Sequence, residues 1–114
     1  MDITYVQMRY FTEVCRSGSL TRAAEALHVA QPSLSVAIKK MEAQFDCALF
    51  YRQKGRLILT QEGAYFLRKC TEILKMVDDL NLDMLDRSTS MKKLRIGVST
   101  TGALLFGAAY MEFI

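Results

Sequence analysis

The stretch from residue 20 to residue 41, LTRAAEALHVAQPSLSVAIKKM, constrains the fold of this chain more than any other. An alanine-rich helical pattern is followed by a short break and by a second helical pattern that opens with Gln31 and Pro32. Two helices that cross steeply need small side chains where they touch and larger apolar ones around that point. Six positions meet this requirement: Ala23, Ala24, Leu27, Val29, Leu34 and Ile38. The pattern predicts a helix-turn-helix, a motif whose second helix enters a DNA groove.

The spacing of apolar residues predicts three helices before residue 46. In the first, from Thr4 to Arg16, apolar residues recur at steps of three and four, and Gly18 ends the helix. Ser19 or Thr21 is expected to cap the second helix. The third is predicted from about Gln31 to Phe45, with Pro32 in its first turn, where a missing amide donor does no harm. Its inward stripe is Leu34, Ile38, Met41 and Phe45, and Asp46 follows in a left-handed cap.

Two short apolar segments, 48–52 and 56–60, surround the polar residues 53–55 and predict a β-hairpin, the wing of a winged helix. Thr60 is expected to cap a long helix from Gln61 to about Ser88, a span without proline. Apolar residues alternate there at steps of four and three, as in a coiled coil. This stripe predicts a dimerisation surface, although packing on the chain's own domain is the alternative: Phe66, Cys70, Ile73, Val77, Leu80 and Met84.

A polar stretch at 88–93 then predicts a hinge, the segment 94–98 reads as a buried strand, and 102–114 as the start of an apolar helix. One strand and one helix cannot bury each other, so we expect the chain to stop inside a second domain. The predicted organisation is a winged helix-turn-helix at 1–60, a linker helix at 61–89, and a hinge with the first part of another domain at 90–114.

The chain has 114 residues and a net charge of +3, and the positive charge is concentrated at one end. Residues 1–60 carry eight Lys and Arg against five acidic residues, whereas residues 61–114 carry seven of each. This asymmetry favours a polyanionic partner for the first half, with a solvated basic face as the alternative.

Three cysteines, Cys15, Cys47 and Cys70, are far apart in apolar contexts and predict reduced thiols in a cytoplasmic protein. The N-terminus lacks a signal-peptide pattern, and the apolar segment after residue 97 is too short and too rich in hydroxyls to favour a membrane span. The one histidine, His28, has no histidine or carboxylate cluster beside it in sequence, so we predict no catalytic residue, metal or cofactor.

Five blocks of the chain carry a family resemblance: 9–11 (RYF), 18–24 (GSLTRAA), 27–35 (LHVAQPSLS), 49–52 (LFYR) and 59–63 (LTQEG). In these blocks, in their order and spacing, the chain resembles the LysR-type transcriptional regulators. The resemblance implies a mainly α-helical fold: a winged helix-turn-helix with a two-stranded wing and a long linker helix that pairs antiparallel with that of a second copy. It also implies that residues 90–114 begin a truncated α/β effector domain that binds a small-molecule inducer in the full-length protein.

The residues expected to contact DNA come partly from this resemblance and partly from their chemistry. A glutamine amide is a bidentate match for adenine, and lysines suit phosphates. The predicted set is Thr21, Arg22, Gln31, Pro32, Ser33, Ser35, Val36, Lys39, Arg52 and Lys54, with helix initiation as the alternative role of Pro32 and Ser33. Two positions depart from the family pattern, because Ala30 stands where serine is frequent and Val36 where arginine is frequent.

The resemblance implies effector binding by Ser99, Thr100 and Thr101, with ordinary helix capping as the alternative. The function we expect is that of a bacterial, sequence-specific DNA-binding regulator that binds a two-fold related duplex as a homodimer or a tetramer. A winged-helix assembly module without specific DNA readout is the rival, and a membrane-anchored sensor is a third alternative.

Overall fold

A computed structural model describes the backbone of residues 2–97 and the side chains of residues 2–89. It contains four helices and one two-stranded antiparallel sheet within that range. The elements are α1 (Tyr5–Ser17), α2 (Leu20–Leu27), α3 (Gln31–Phe45), β1 (Phe50–Gln53), β2 (Arg56–Leu59) and α4 (Gln61–Gly97). The chain divides into two units, Met1–Met76 and Val77–Ile114. The predicted winged helix-turn-helix is confirmed.

Local hydrogen bonds fix the ends of α1 and α2. The side chains of Thr4 and Gln7 form a capping box, because each accepts the backbone N–H of the other, at 3.1 and 2.9 Å. Gly18 ends α1 with φ +70°, a left-handed conformation that glycine adopts without strain. Ser19, one of the two predicted caps, then accepts the Arg22 N–H at 3.3 Å.

α3 has weaker end signals. Ala30 at its N-cap provides no side-chain hydrogen bond, and Pro32 lies in the first turn as predicted. Asp46 closes the helix in the left-handed region, at φ +52°. Because the N-cap provides no side-chain hydrogen bond and the C-cap is a non-glycine residue in the left-handed region, packing has to stabilise this helix. Its three buried side chains supply that packing: Leu34, Ile38 and Met41.

The wing is a short hairpin with Phe50 opposite Leu59 and Gln53 opposite Arg56. Its turn consists of Lys54 and Gly55, both with positive φ, as a type I′ hairpin turn requires. The handedness of this turn matches the twist of the strands and sets their register.

Aromatic contacts join the helices and the wing in one core. The ring of Phe11 lies 5.2 Å from that of Phe50 and 4.7 Å from that of Phe66, and Phe45 lies 5.2 Å from Phe66. Such pairs contribute about 0.5–1.5 kcal/mol each beyond the apolar area they bury. Phe11 therefore links α1 to both the wing and α4.

The start of α4 is attached to the wing through Thr60 and Leu49. The Thr60 hydroxyl accepts the Gly63 N–H at 2.9 Å, which confirms the predicted cap, and the Thr60 N–H donates to the Leu49 carbonyl at 3.0 Å. Gly63 is buried where α4 passes the Leu49 backbone.

The predicted end of the long helix is wrong. α4 continues through the expected hinge at 88–93 and through the part of the expected strand that is described, up to Gly97. No glycine or proline interrupts residues 64–96, and the Thr89 hydroxyl donates to the Leu85 carbonyl at 3.0 Å within the helix. The backbone amides of a strand need a neighbouring strand as hydrogen-bond partner, whereas a helix forms these hydrogen bonds within itself. The domain boundary at residue 90 stays a prediction.

Two members of the expected dimerisation stripe pack against the chain's own core. Cys70 is 1% exposed, and Phe66 is half-buried with its ring against those of Phe11 and Phe45. The first turns of α4 must cover the core that α1 and α3 leave open, and these two residues do so. The stripe that remains accessible begins at Ile73.

None of the described helices is both long and apolar enough to cross a membrane.

Candidate nucleic-acid interface

α3 separates its side chains into a buried and an exposed face. Leu34, Ile38 and Met41 are buried, whereas the residues between them turn outward. Among the predicted DNA contacts, the exposed ones on this helix are Gln31, Pro32, Ser33, Val36 and Lys39, and Lys40 is exposed as well. Ser35 is half-buried on the flank of the helix. The exposed face of α3 thus presents amide, hydroxyl and ammonium groups, while the buried face packs on the core.

Small residues let α2 lie close to its neighbours. Ala23 and Ala24 are buried, and α2 contacts both α1 and α3. Thr21 and Arg22 are exposed in the first turn of α2. Free backbone N–H groups at a helix start favour an anion, so this turn is suited to a phosphate.

Arg52 of the wing lies beside the helix-turn-helix. It lines a cavity of about 170 Å³ together with Thr21 and Gln31, and a second cavity of about 340 Å³ together with Ser35 and Lys39. Leu20 and Leu57 also line both cavities. The structure therefore brings together five of the predicted contact residues, from α2, α3 and the wing. Lys54 is exposed at the wing tip and lines neither cavity, although its neighbour Gly55 lines the smaller one.

Charge around these cavities is mostly positive. The residues that line the smaller cavity in the described part of the chain include one base, Arg52, and no acid. The larger one contains Lys39, Arg52 and one acid, Glu42. A surface of this kind attracts phosphate groups.

Glu42 is a residue that the sequence reasoning missed. Its Oε2 accepts the backbone N–H of Leu49 at 2.7 Å and that of Phe50 at 3.3 Å. The carboxylate on α3 therefore holds the first residues of the wing, and Arg52 follows two residues later. A glutamate near the end of a helix usually faces solvent, so no sequence signal distinguished it. Tyr51, which is exposed on β1 and lines the larger cavity, was missed as well.

The accessible part of the dimerisation stripe consists of exposed or half-buried apolar residues on α4. In the first unit Ile73 is 42% exposed. In the second unit Leu80 and Met84 are exposed and Val77 is half-buried. The effector residues predicted at Ser99, Thr100 and Thr101 lie outside the described residues. No group of three or more His, Cys, Asp or Glu that could hold a metal ion is present in the described part of the chain.

The chain matches the family described as "Bacterial regulatory helix-turn-helix protein, lysR family" over residues 5–64. It is 43% identical over 116 residues to the uncharacterized HTH-type transcriptional regulator YcgK of Bacillus subtilis, covering 100% of this chain and 35% of YcgK. It is 36% identical over 112 residues to the HTH-type transcriptional regulator BsdA of the same organism, covering 97% of this chain and 37% of BsdA.

Among solved structures, the DNA-binding domain of BenM in complex with catB site 1 DNA is similar with a TM-score of 0.70 and 32% identity. That match covers 77% of this chain and 97% of the BenM domain. The chain spans about a third of the length of the curated relatives named here.

Proposed function

The chain belongs to the LysR family of bacterial regulatory helix-turn-helix proteins, and from this premise we propose that it binds double-stranded DNA as part of a transcriptional regulator. α3 enters the major groove and the wing lies over the neighbouring backbone. The relatives named above are regulators and not enzymes, in agreement with the absence of a predicted catalytic residue. The solved complex of the BenM domain with DNA supports the same partner for this chain.

One observation carries the proposal. α3 is held by the core along Leu34, Ile38 and Met41, while its opposite face offers hydrogen-bonding and cationic side chains next to Arg52. A rigid helix with such a face can reach base edges without first having to be ordered. That arrangement is what readout of a duplex requires.

The proposed roles follow from the chemistry of each group. Gln31, at the start of α3, reads an adenine through its amide, and Ser33 and Ser35 donate to or accept from neighbouring edges. The cations bind phosphates and position the protein without reading sequence. These cations are Arg22, Lys39, Arg52 and Lys54. Thr21 and Pro32 contact the backbone and the groove wall beside them.

We further propose that two copies bind a two-fold related site. The apolar residues Ile73, Leu80 and Met84 of α4 are exposed and suit a second copy. Tetramer formation, a cytoplasmic location and a response to a small-molecule inducer are proposed from the family resemblance, as properties of a regulator of the relatives' full length.

A winged helix that serves only protein assembly is the rival function, and salt separates the two. Duplexes are selected from a randomised pool with the full 114-residue chain, and the best one is titrated at several salt concentrations. Each phosphate that a cation neutralises contributes about −0.9 to the slope of log K against log salt. We expect a slope of about −4 or steeper per chain. Failure to enrich any duplex, or a flat salt dependence, would favour the assembly module.

A further inference from the structure

Val36 lies at the centre of the outward face of α3. It is two residues from Leu34 and two from Ile38, so it points about 200° around the helix from each of these buried side chains. Its side chain is 51% exposed. Of the exposed large apolar residues on α3, the other is Phe45, which packs against Phe66 at the edge of the core.

The neighbours of Val36 on this face are polar or cationic. One turn before it lies Ser33, and one turn after it lie Lys39 and Lys40, all of them exposed. A single exposed valine needs no explanation on most protein surfaces. Here, however, the valine stands where the duplex would cover it, so it must meet some feature of the groove.

The major groove offers one apolar group. Base edges present hydrogen-bond acceptors and donors, and thymine adds its C5 methyl. A valine placed over an acceptor or donor would remove water from it and offer no partner in exchange, which is unfavourable. A valine placed over a methyl group removes apolar surface of both from water.

We infer that Val36 selects a thymine in the recognised duplex by packing onto its C5 methyl group. This inference rests on the proposed DNA-binding function and adds a specificity determinant to it. Val36 is five residues beyond Gln31, which places it about 7.5 Å along the helix axis and about 140° around it. The two side chains thus offer two separate contacts, a hydrogen-bonding one from Gln31 and an apolar one from Val36.

Replacing thymine by deoxyuridine tests this contact, because it removes the methyl and leaves the hydrogen-bonding edge unchanged. The duplex selected by the wild-type chain is resynthesised with one thymine replaced at a time, and the affinity of the full chain is measured for each. Burial of one methyl-sized group predicts a loss of roughly fourfold at the thymine under Val36 in each half-site.

Two variants assign the loss to Val36. Val36→Ala should bind the unmodified duplex more weakly and lose less than about twofold on deoxyuridine at that position, since the contact is already gone. The matched control is Val6→Ala on α1, where the same change is made at a side chain that is 53% exposed. Val6→Ala should lose as much affinity as the wild type, about fourfold, when that thymine is replaced by deoxyuridine. Both positions are exposed, so both variants should fold.

The outcomes separate this inference from the proposed function. If the wild-type chain binds its selected duplex but is insensitive to deoxyuridine at every thymine, the role of Val36 is refuted and DNA binding stands. The role of Val36 is likewise refuted if Val36→Ala loses as much affinity on deoxyuridine as the wild type does. If the wild-type chain does not prefer the selected duplex over an unselected one, the proposed function fails, and the inference fails with it.

Discussion

Gly63→Ala tests how α4 is joined to the wing, because two effects predict opposite signs for it. Alanine is the better helix former by about 1 kcal/mol, so propensity alone predicts a more stable protein. The structure predicts the reverse. A Cβ at Gly63 would overlap the Leu49 carbonyl oxygen and lie 2.9 Å from Leu59 Cδ2 and 3.1 Å from the Leu49 carbonyl carbon.

The magnitude follows from what has to move. The Leu59 side chain can rotate away, but the Leu49 carbonyl is backbone and accepts the Thr60 N–H at 3.0 Å. Overpacking costs about 1–3 kcal/mol, and weakening that hydrogen bond costs about 1 kcal/mol more. After subtraction of the gain in propensity, the free energy of unfolding should fall by about 1–3 kcal/mol.

Urea denaturation followed by far-UV circular dichroism measures this change. The control is Ala64→Gly at the next, exposed position, where only propensity acts and a loss of about 1 kcal/mol is expected. Gly63→Ala should also be destabilised, although it replaces glycine by alanine and propensity alone would make it more stable. A Gly63→Ala protein as stable as the wild type, or more so, would refute the close approach of α4 to Leu49.

Three further predictions concern the wing, the α4 surface and the buried thiols. Glu42→Gln removes the negative charge from the side chain that accepts the Leu49 and Phe50 amides, which weakens both hydrogen bonds and the hold on the wing. DNA affinity, measured by a binding titration, should therefore fall severalfold. Ile73→Asp places a charge in the proposed α4 pairing surface and should yield monomers by light scattering. Burial raises the pKa of Cys15 to about 12, with Cys70 adding to the shift, and burial raises that of Cys70 to about 11. Unfolding then releases thiol protons, so stability should fall as pH rises above about 9.

A specific result would contradict each of these three predictions. Unchanged affinity in Glu42→Gln would mean that the wing does not depend on the carboxylate. A dimeric Ile73→Asp protein would show that the interface lies elsewhere, and Thr71→Asp, at an exposed position off the stripe, should leave assembly unchanged. A stability curve that stays flat above pH 9, equal in wild type and Cys15→Ala, would show that the thiols ionise in the folded chain.

Local signals were sufficient where one or two residues decide the conformation. Gly18, Ser19 and Thr60 end or start helices through their own backbone freedom or hydroxyl groups. The sequence predicts Gly18 and Thr60 in these roles and offers Ser19 as one of two caps. Pro32 in the first turn of α3 and the hairpin turn at Lys54 and Gly55 follow from similar short-range preferences.

Other features depend on tertiary contacts that the sequence pattern does not contain. A heptad stripe marks apolar positions but not their partners, so it could not show that Phe66 and Cys70 pack on their own core. The Glu42 carboxylate reaches amides seven and eight residues away across a turn. The serine and threonine cluster at 88–90 does not end α4, because such residues disfavour a helix only weakly.

The account rests on α3 as the element that reads DNA sequence, and paired alanine variants test this most directly. Affinities of wild type, Gln31→Ala and Lys39→Ala are measured on the selected duplex and on random duplex at the same salt concentration. Gln31→Ala should lose about 1–3 kcal/mol on the selected duplex and little on random DNA, because it reads a base edge. Lys39→Ala should weaken both alike, because it binds phosphate. Equal losses on both duplexes for Gln31→Ala would contradict base readout by α3.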